Sequence, residues 1–459
     1  MKPALIYLIL ALLPNCGPTL PSPDLGGIYS AAARQEHLDR NPIIVIPGIL
    51  GSRLMDDQGR IVWGAFGGDA VDPSSAEGRR LIALPMTAQG WPRDEVKPDG
   101  ALEQLKVSLG FNFKFSAYSG MLRAFGAGGY LDANKSDLSK IDYGPGHFTC
   151  FQFGYDWRRS CAENAAALER FIEEKRRYVE QQRFKRHGLR GDVKFDIVAH
   201  SMGGLVARYF LMYGSTPLSA DGNMTVNWAG AKHVEKLIMV GTPNAGSVYP
   251  VQQLRDGFKL APFLPKIDAT VVATMPSIYE LLPRTEDAPI IDEHSHPLDL
   301  DDPAVWQRLG WGLCDPKQAD VLRDLLPDVP DAEVRQQIAA QHLTKMLRNA
   351  RAFHRAMGAT SRLPAGVEFH GFAGDAVATG SRVQVSAKGN ADIIDWIPGD
   401  GSVTRKSMLM DRRTLAEAGQ VLKSPIPWTD NHFVFSDHLQ MTSDPAFVDN
   451  VLHLLLERP

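Results

Sequence analysis

Apolar positions in this chain follow two periods, and the way the two alternate predicts the fold class. Pro42-Ile43-Ile44-Val45-Ile46 is an unbroken, β-branched run that stops at Pro47-Gly48, the form of a strand covered on both faces. Segments 193–198 and 234–240 repeat that form, and 367–372 is a weaker fourth. Between the first two strong runs the period becomes helical. Ser160-Cys161-Ala162-Glu163 fits a capping box, and Leu168, Ile172 and Val179 then share one face. A second stripe, through Ala339, Leu343, Met346, Ala350, Phe353 and Met357, is expected to face a core. Strands alternating with helices predict an α/β fold, a mostly parallel sheet with helices on both faces. The rhythm breaks over 249–365, which reads as a cap inserted into a domain spanning 41–459.

The first residues obey a different rule. Lys2 precedes an apolar run over 4–13, too short for the roughly 20 residues a bilayer span needs but suited to a signal peptide. Residues 1–16, ending in Leu13-Pro14-Asn15-Cys16, are therefore expected to be a signal or lipoprotein-like segment, and 17–40 a linker and N-terminal extension. Export or membrane association is the expected localisation.

Composition narrows the function classes. The 459 residues are 44% hydrophobic and 22% charged, as in a globular chain, and the net charge of −4 argues against a nucleic-acid partner. The four cysteines (Cys16, Cys150, Cys161, Cys314) are too few for a disulfide scaffold and lack CxxC spacing for zinc. Whether Cys150 and Cys161 pair is left open. Asp292, Glu293, His294 and His296 cluster on a Pro-flanked polar loop, which reads as a solvated turn rather than a metal site. No nucleotide, metal or flavin motif is present, so no cofactor is implied.

Chemistry concentrates at Ala199-His200-Ser201-Met202-Gly203-Gly204. An apolar strand precedes Ser201, and a helical pattern (Leu205, Tyr209, Met212) follows it. A nucleophilic serine on a sharp strand-to-helix turn needs small residues two before and two after it, here Ala199 and Gly203. An oxyanion formed there needs two backbone donors. The amide of Met202 is one candidate, and that of Ile49, in Pro47-Gly48-Ile49-Leu50-Gly51-Ser52, is the other. The acid and base of such a site follow the serine along the chain. Asp375 and Asp400 both stand after apolar segments, and spacing alone does not separate them. Among His432, His438 and His453, the loop position of His438 ahead of the last helix suits a base, whereas His453 sits among leucines within that helix.

Four stretches together resemble the lecithin:cholesterol acyltransferase and phospholipid:diacylglycerol acyltransferase family: 47–52, Tyr155-Asp156-Trp157-Arg158, 199–204, and Gly399-Asp400-Gly401-Ser402-Val403 with His438-Leu439-Gln440-Met441. Gly241-Thr242-Pro243-Asn244-Ala245-Gly246-Ser247 resembles a further turn of that family. The resemblance implies an α/β-hydrolase fold with an inserted cap, and a catalytic set of Ser201, Asp400 and His438 with oxyanion donors at Ile49 and Met202. Asp375 becomes the second choice for the acid. It also implies transfer of a fatty acyl chain from a phospholipid donor to an alcohol acceptor of sterol or diacylglycerol type. If water is the acceptor, the same residues make a lipase, phospholipase or esterase. Peripheral contact with a lipid surface is implied, with Trp63 in the membrane-facing segment, while Asp156 and Arg158 are expected to tie loops together beside the pocket. The chain departs from the pattern at Ala199, where the family has glycine, and in lacking the animal enzymes' cysteine pair after Trp63.

Overall fold

The computed structural model describes residues 23–34, 40–87, 92–102, 104–108, 112–116, 118–133, 149–261, 264–284, 289–417 and 419–457. The segment expected as a leader, 1–16 with Cys16, lies outside the described residues. Strands β1 (Ile43–Ile46), β2 (Cys150–Gln152), β3 (Phe195–His200), β4 (Val234–Val240) and β5 (Glu368–Gly374) come first in the central sheet. A hairpin of β6 (Val377–Val385) and β7 (Ala391–Gly399) interrupts it before β8 (Asp430–Val434) closes one edge. The spatial order is β8-β5-β4-β3-β1-β2, and every neighbouring pair is parallel.

Helices α1 (Ser119–Ala127), α2 (Cys161–His187), α3 (Met202–Tyr213), α4 (Ala332–Met357) and α5 (Pro445–Leu456) supply most of the cover. Side chains alternate along a strand, so each strand must be apolar on both sides. Ile43 and Val45 pack with Phe125 of α1 and with Phe447 and Val451 of α5. Ile44 and Ile46 belong to the opposite cluster, with Leu168 of α2 and Leu205 of α3. That two-sided demand is why the runs at β1, β3 and β4 lack alternation.

Helix α2 begins as its sequence predicts. Ser160 Oγ accepts the Glu163 amide at 3.2 Å, and Leu168, Ile172 and Val179 are buried. The stripe of α4 is likewise buried from Ala339 to Met357. Helices also fill much of the stretch read as a cap, at Tyr249–Asp256, Pro276–Glu280, Pro303–Leu309 and Ala319–Leu325. Among the described residues, no helix is long and apolar enough to cross a membrane.

Two features depart from the pattern-based expectation. Strand β3 runs two residues beyond 193–198, through His200 to the turn at Ser201. The hairpin β6–β7 was not foreseen, because Arg382, Gln384, Asp392 and Asp395 break its apolar pattern and much of β7 is exposed.

Where β1 ends, the chain goes to β2 on one side, and β3 then takes the other side. Open α/β sheets place their ligands at the carboxyl ends of strands where the order reverses in this way, here β1 and β3. The loop after β1 and the turn after β3 both lie there.

Candidate active site

The turn after β3 is strained. Ser201 has φ 52° and ψ −130°, a conformation that costs a non-glycine residue about 1–3 kcal/mol. It is held by Ser201 N–H donating to the Val240 carbonyl at 2.8 Å and by Gly204 N–H donating to Ser201 O at 2.9 Å. Crowding explains the small neighbours. A Cβ on Gly203 would stand 2.4 Å from the Pro47 carbonyl oxygen. Ala199, fully buried in register between Ile46 and Met239, fits where the resembling family has glycine.

His438 lies between β8 and α5, and its Nε2 is 2.9 Å from Ser201 Oγ. Its Nδ1 is 2.7 Å from Asp400 Oδ2. For Ser201 to donate to Nε2, the ring proton must sit on Nδ1 facing the carboxylate. Asp400 is positioned by its own turn, its Oδ1 accepting the amides of Ser402 at 2.9 Å and Val403 at 2.7 Å. Burial pushes its pKa up, but the His438 charge, the ring hydrogen bond and the two amides outweigh it and leave the carboxyl below its ordinary value. Asp375, just beyond β5, turns instead to Arg405, 3.0 Å away. His432 stacks on Phe372 within β8 at 4.7 Å, and His453 pairs with Glu457 on α5 at 2.6 Å. Of the three candidate histidines, it is His438 that meets Ser201.

The loop after β1 runs against the serine. A Cβ on Gly48 would lie 2.8 Å from Ser201 Cβ, so only glycine permits the approach. Leu50 has a left-handed φ of 63°, and its carbonyl accepts the Trp63 indole N–H at 2.8 Å. Tyr155 Oη donates to the Pro47 carbonyl at 2.9 Å, and Trp157 Nε1 donates to Ser52 O at 3.2 Å. Met202 opens α3 and so has no intrahelical acceptor for its amide. Among the described residues none takes the amide of Ile49. Both amides are thus left without a hydrogen-bond acceptor among the described residues.

Trp63 corrects an expectation. It is 2% exposed and packs edge-on against Trp157 at 5.4 Å, so it braces the Leu50 turn from inside and does not face lipid. The fully buried Arg158 guanidinium joins Asp156 at 2.8 Å, Asp94 at 2.7 Å and the Leu81 carbonyl at 2.9 Å, tying loops as expected. Cys150, Cys161 and Cys314 are free thiols. Asp292 accepts the amides of His294 and His296, each at 2.8 Å, in an exposed turn, and among the described residues no three His, Cys, Asp or Glu side chains are grouped as metal ligands would be.

Two residues near the serine escaped the sequence reading. Tyr118 Oη is 2.9 Å from His200 Nδ1, and His200 Nε2 is 2.8 Å from the His438 carbonyl. His200 stands inside the serine motif, but Tyr118 lies far upstream with no pattern around it.

Comparison with known proteins gives one family match and several similar structures. The lecithin:cholesterol acyltransferase family matches residues 133–302, a window that holds Ser201 and Met202 but not Ile49, Asp400 or His438. No curated protein matches the chain. Among solved structures it is similar to the Tle4–Tli4 complex, at 17% identity over 91% of this chain and 98% of that one, with a TM-score of 0.57. It also aligns with the mature lipase BlEst2 of Bacillus licheniformis, at 13% identity over 92% and 95% of the two chains with a TM-score of 0.36. Lipase 1 of Pelosinus fermentans gives 12% identity, 91% and 99% coverage and a TM-score of 0.35. With its parallel sheet, covering helices and inserted helical regions, the chain has an α/β-hydrolase fold and a partial likeness to the lecithin:cholesterol acyltransferase family.

Proposed function

We propose that this chain is a serine-dependent carboxylic-ester hydrolase whose substrates are lipid esters. The observation that carries the reading is the unbroken contact from Ser201 Oγ through His438 to Asp400. Ser201 Oγ attacks the ester carbonyl carbon while His438 Nε2 takes its proton. The amides of Ile49 and Met202 receive the developing oxyanion, where a single donor is worth about 3 kcal/mol in comparable sites. Collapse breaks the bond to the leaving alkoxide, which takes the proton from His438, and acyl-Ser201 remains. Water then attacks, gives its proton to His438, and the acid leaves as Ser201 recovers its proton.

Apolar surface around the site supports a lipid. Phe435 and Leu439, 80% and 59% exposed, stand three residues before and one after His438. Ile394 and Trp396 are exposed on β7, which leads into Asp400. Exposed large apolar side chains mark contact surfaces, and those flanking His438 suit acyl chains or the surface of a lipid aggregate. Water as acceptor is favoured by the partly exposed His438 side chain, on a loop open to solvent on both flanks.

A second reading is transfer to an alcohol. The family match over 133–302 and the Gly399-Asp400-Gly401-Ser402-Val403 turn favour it. Vesicles of phosphatidylcholine with one isotopically labelled acyl chain, containing cholesterol and diacylglycerol, separate the two when products are weighed by mass spectrometry. Hydrolysis puts the label in free fatty acid, and transfer puts it in sterol ester or triacylglycerol. Label released equally by Ser201→Ala would refute both.

A further inference from the structure

We propose that Tyr118 and His200 are positioning residues for the reaction at Ser201, joining the loop of the Ile49 amide to the loop of His438 through one directional chain of hydrogen bonds. This rests on the serine mechanism above. The Gly48 amide donates to Tyr118 Oη at 2.8 Å, Tyr118 Oη meets His200 Nδ1 at 2.9 Å, and His200 Nε2 meets the His438 carbonyl at 2.8 Å. A carbonyl oxygen only accepts, so Nε2 carries the ring proton and Nδ1 is bare. The phenol must then give its one proton to Nδ1 and accept from Gly48. No link can be reversed without facing donor to donor in a buried place, where an unmet polar group is costly.

Both ends of the chain reach the proposed machinery. The Gly48 amide is one peptide before that of Ile49. Holding it fixes the loop that Gly48 brings against Ser201. At the other end, the bonded carbonyl belongs to His438 itself. That residue's N–H donates to Asp400 O at 2.9 Å, and its Nδ1 meets Asp400 Oδ2, so the base is fixed at three atoms. Tyr118 precedes α1, which packs with α5, the helix after the base.

His200 is suited to hold without titrating. Its ring centroid is 4.8 Å from that of His438. A second imidazolium there would oppose the proton His438 gains in each cycle. Burial foremost, and the charge of His438 next, bring the His200 pKa down to about 3, so it stays neutral while His438 works. Burial also drives the Tyr118 phenol far above its ordinary value, which keeps its proton available to Nδ1.

The test uses the full chain, Tyr118→Phe, His200→Gln and the double variant. Three quantities are read: kcat and KM on a p-nitrophenyl ester, the rate at which a fluorophosphonate labels Ser201, and the imidazole nitrogen–proton spectrum. His200 is expected as the Nε2–H tautomer, with no titration between about pH 5 and 9. Tyr118→Phe should lower kcat and the labelling rate about 10–100-fold while KM moves less than about threefold, as expected for misplaced groups. The double variant should be no slower than the slower single, because either change breaks the same chain. A titrating or Nδ1-protonated His200 overturns the proposal, and so do single variants with wild-type kcat or losses that multiply. If the wild type neither cleaves ester nor takes label, the serine mechanism fails and the positioning role with it. The tautomer spectrum then still reports the hydrogen-bond chain by itself.

Discussion

Replacing Asp400 by asparagine tests the site at its most specific point. The side chain keeps its shape, and its amide oxygen can go on accepting the amides of Ser402 and Val403, which hold the carboxylate at 2.9 and 2.7 Å. The amide nitrogen is then turned toward His438 Nδ1, now 2.7 Å from Asp400 Oδ2. Two donors cannot share that contact, so the imidazole moves its proton to Nε2, and Nε2 is the atom facing Ser201. The base is present but in the wrong tautomer. A loss of about 10⁴ in kcat is expected by analogy with other serine triads, about 5 kcal/mol of transition-state stabilisation, with KM little changed. Asp375→Asn removes a partly exposed ion pair with Arg405 and should change kcat by less than about twofold. Steady-state hydrolysis of a p-nitrophenyl ester measures both. Because the Asp400 carboxyl lies below its ordinary pKa, it stabilises the fold above the usual carboxylate range and loses that contribution as pH falls through its lowered value. A thermal scan near neutral pH must therefore show that the Asp400→Asn chain is folded before kcat is compared. A folded Asp400→Asn variant keeping more than about a tenth of wild-type kcat, beside a crippled Asp375→Asn, would refute the assignment.

Two further changes probe what surrounds the site. In Gly203→Ala, the new Cβ meets the backbone oxygens of Pro47 and Ile46 at 2.4 and 2.8 Å, so the end of β1 must shift. Urea unfolding should show a loss of about 1–3 kcal/mol, and kcat should fall more than about tenfold as the Ile49 amide moves; unchanged kcat would remove the loop after β1 from the mechanism. Glu280, buried and bonded to the Cys161 amide and to Asn349, has its carboxyl pushed up by burial from 4.5 to about 7. Between those values the folded chain keeps a proton that the unfolded chain has lost, so rising pH costs stability, about 3 kcal/mol over the interval. Unfolding free energies at pH 4.5 and 8 should show that this component is missing in Glu280→Gln, and an identical pH dependence in both chains would sink the argument.

What the sequence made legible was local. The run at 43–46 reads as a buried strand because both its faces are covered, and the Ser160 cap lies within four consecutive residues. The surroundings of Ser201 are equally local, since the strain of the elbow is relieved by the identity of its immediate neighbours. The β6–β7 hairpin was hidden because its strands mix charges with apolar residues, as exposed antiparallel strands do. Trp63 differs: the family resemblance put it at the membrane, whereas its apolar neighbours Ile61, Val62 and Phe66 fit the burial that Leu50 and Trp157 complete.

The choice between the two aspartates shows where local reading ends. Asp375 stands just past a sheet strand, at the level where the neighbouring strand β4 gives way to the Gly241 turn. The chain instead runs out through β6 and returns along β7, so that Val377 pairs with Gly399 and bridges to Asp400. Two carboxylates thus arrive at the same end of the sheet, and their sequence contexts are alike. What separates them is the next few bonds. Asp400 has two amides of its own turn on one oxygen and an imidazole on the other, while Asp375 has a guanidinium. A carboxylate already neutralised by Arg405 has less to offer an imidazolium. One held by neutral amides keeps its full charge for His438.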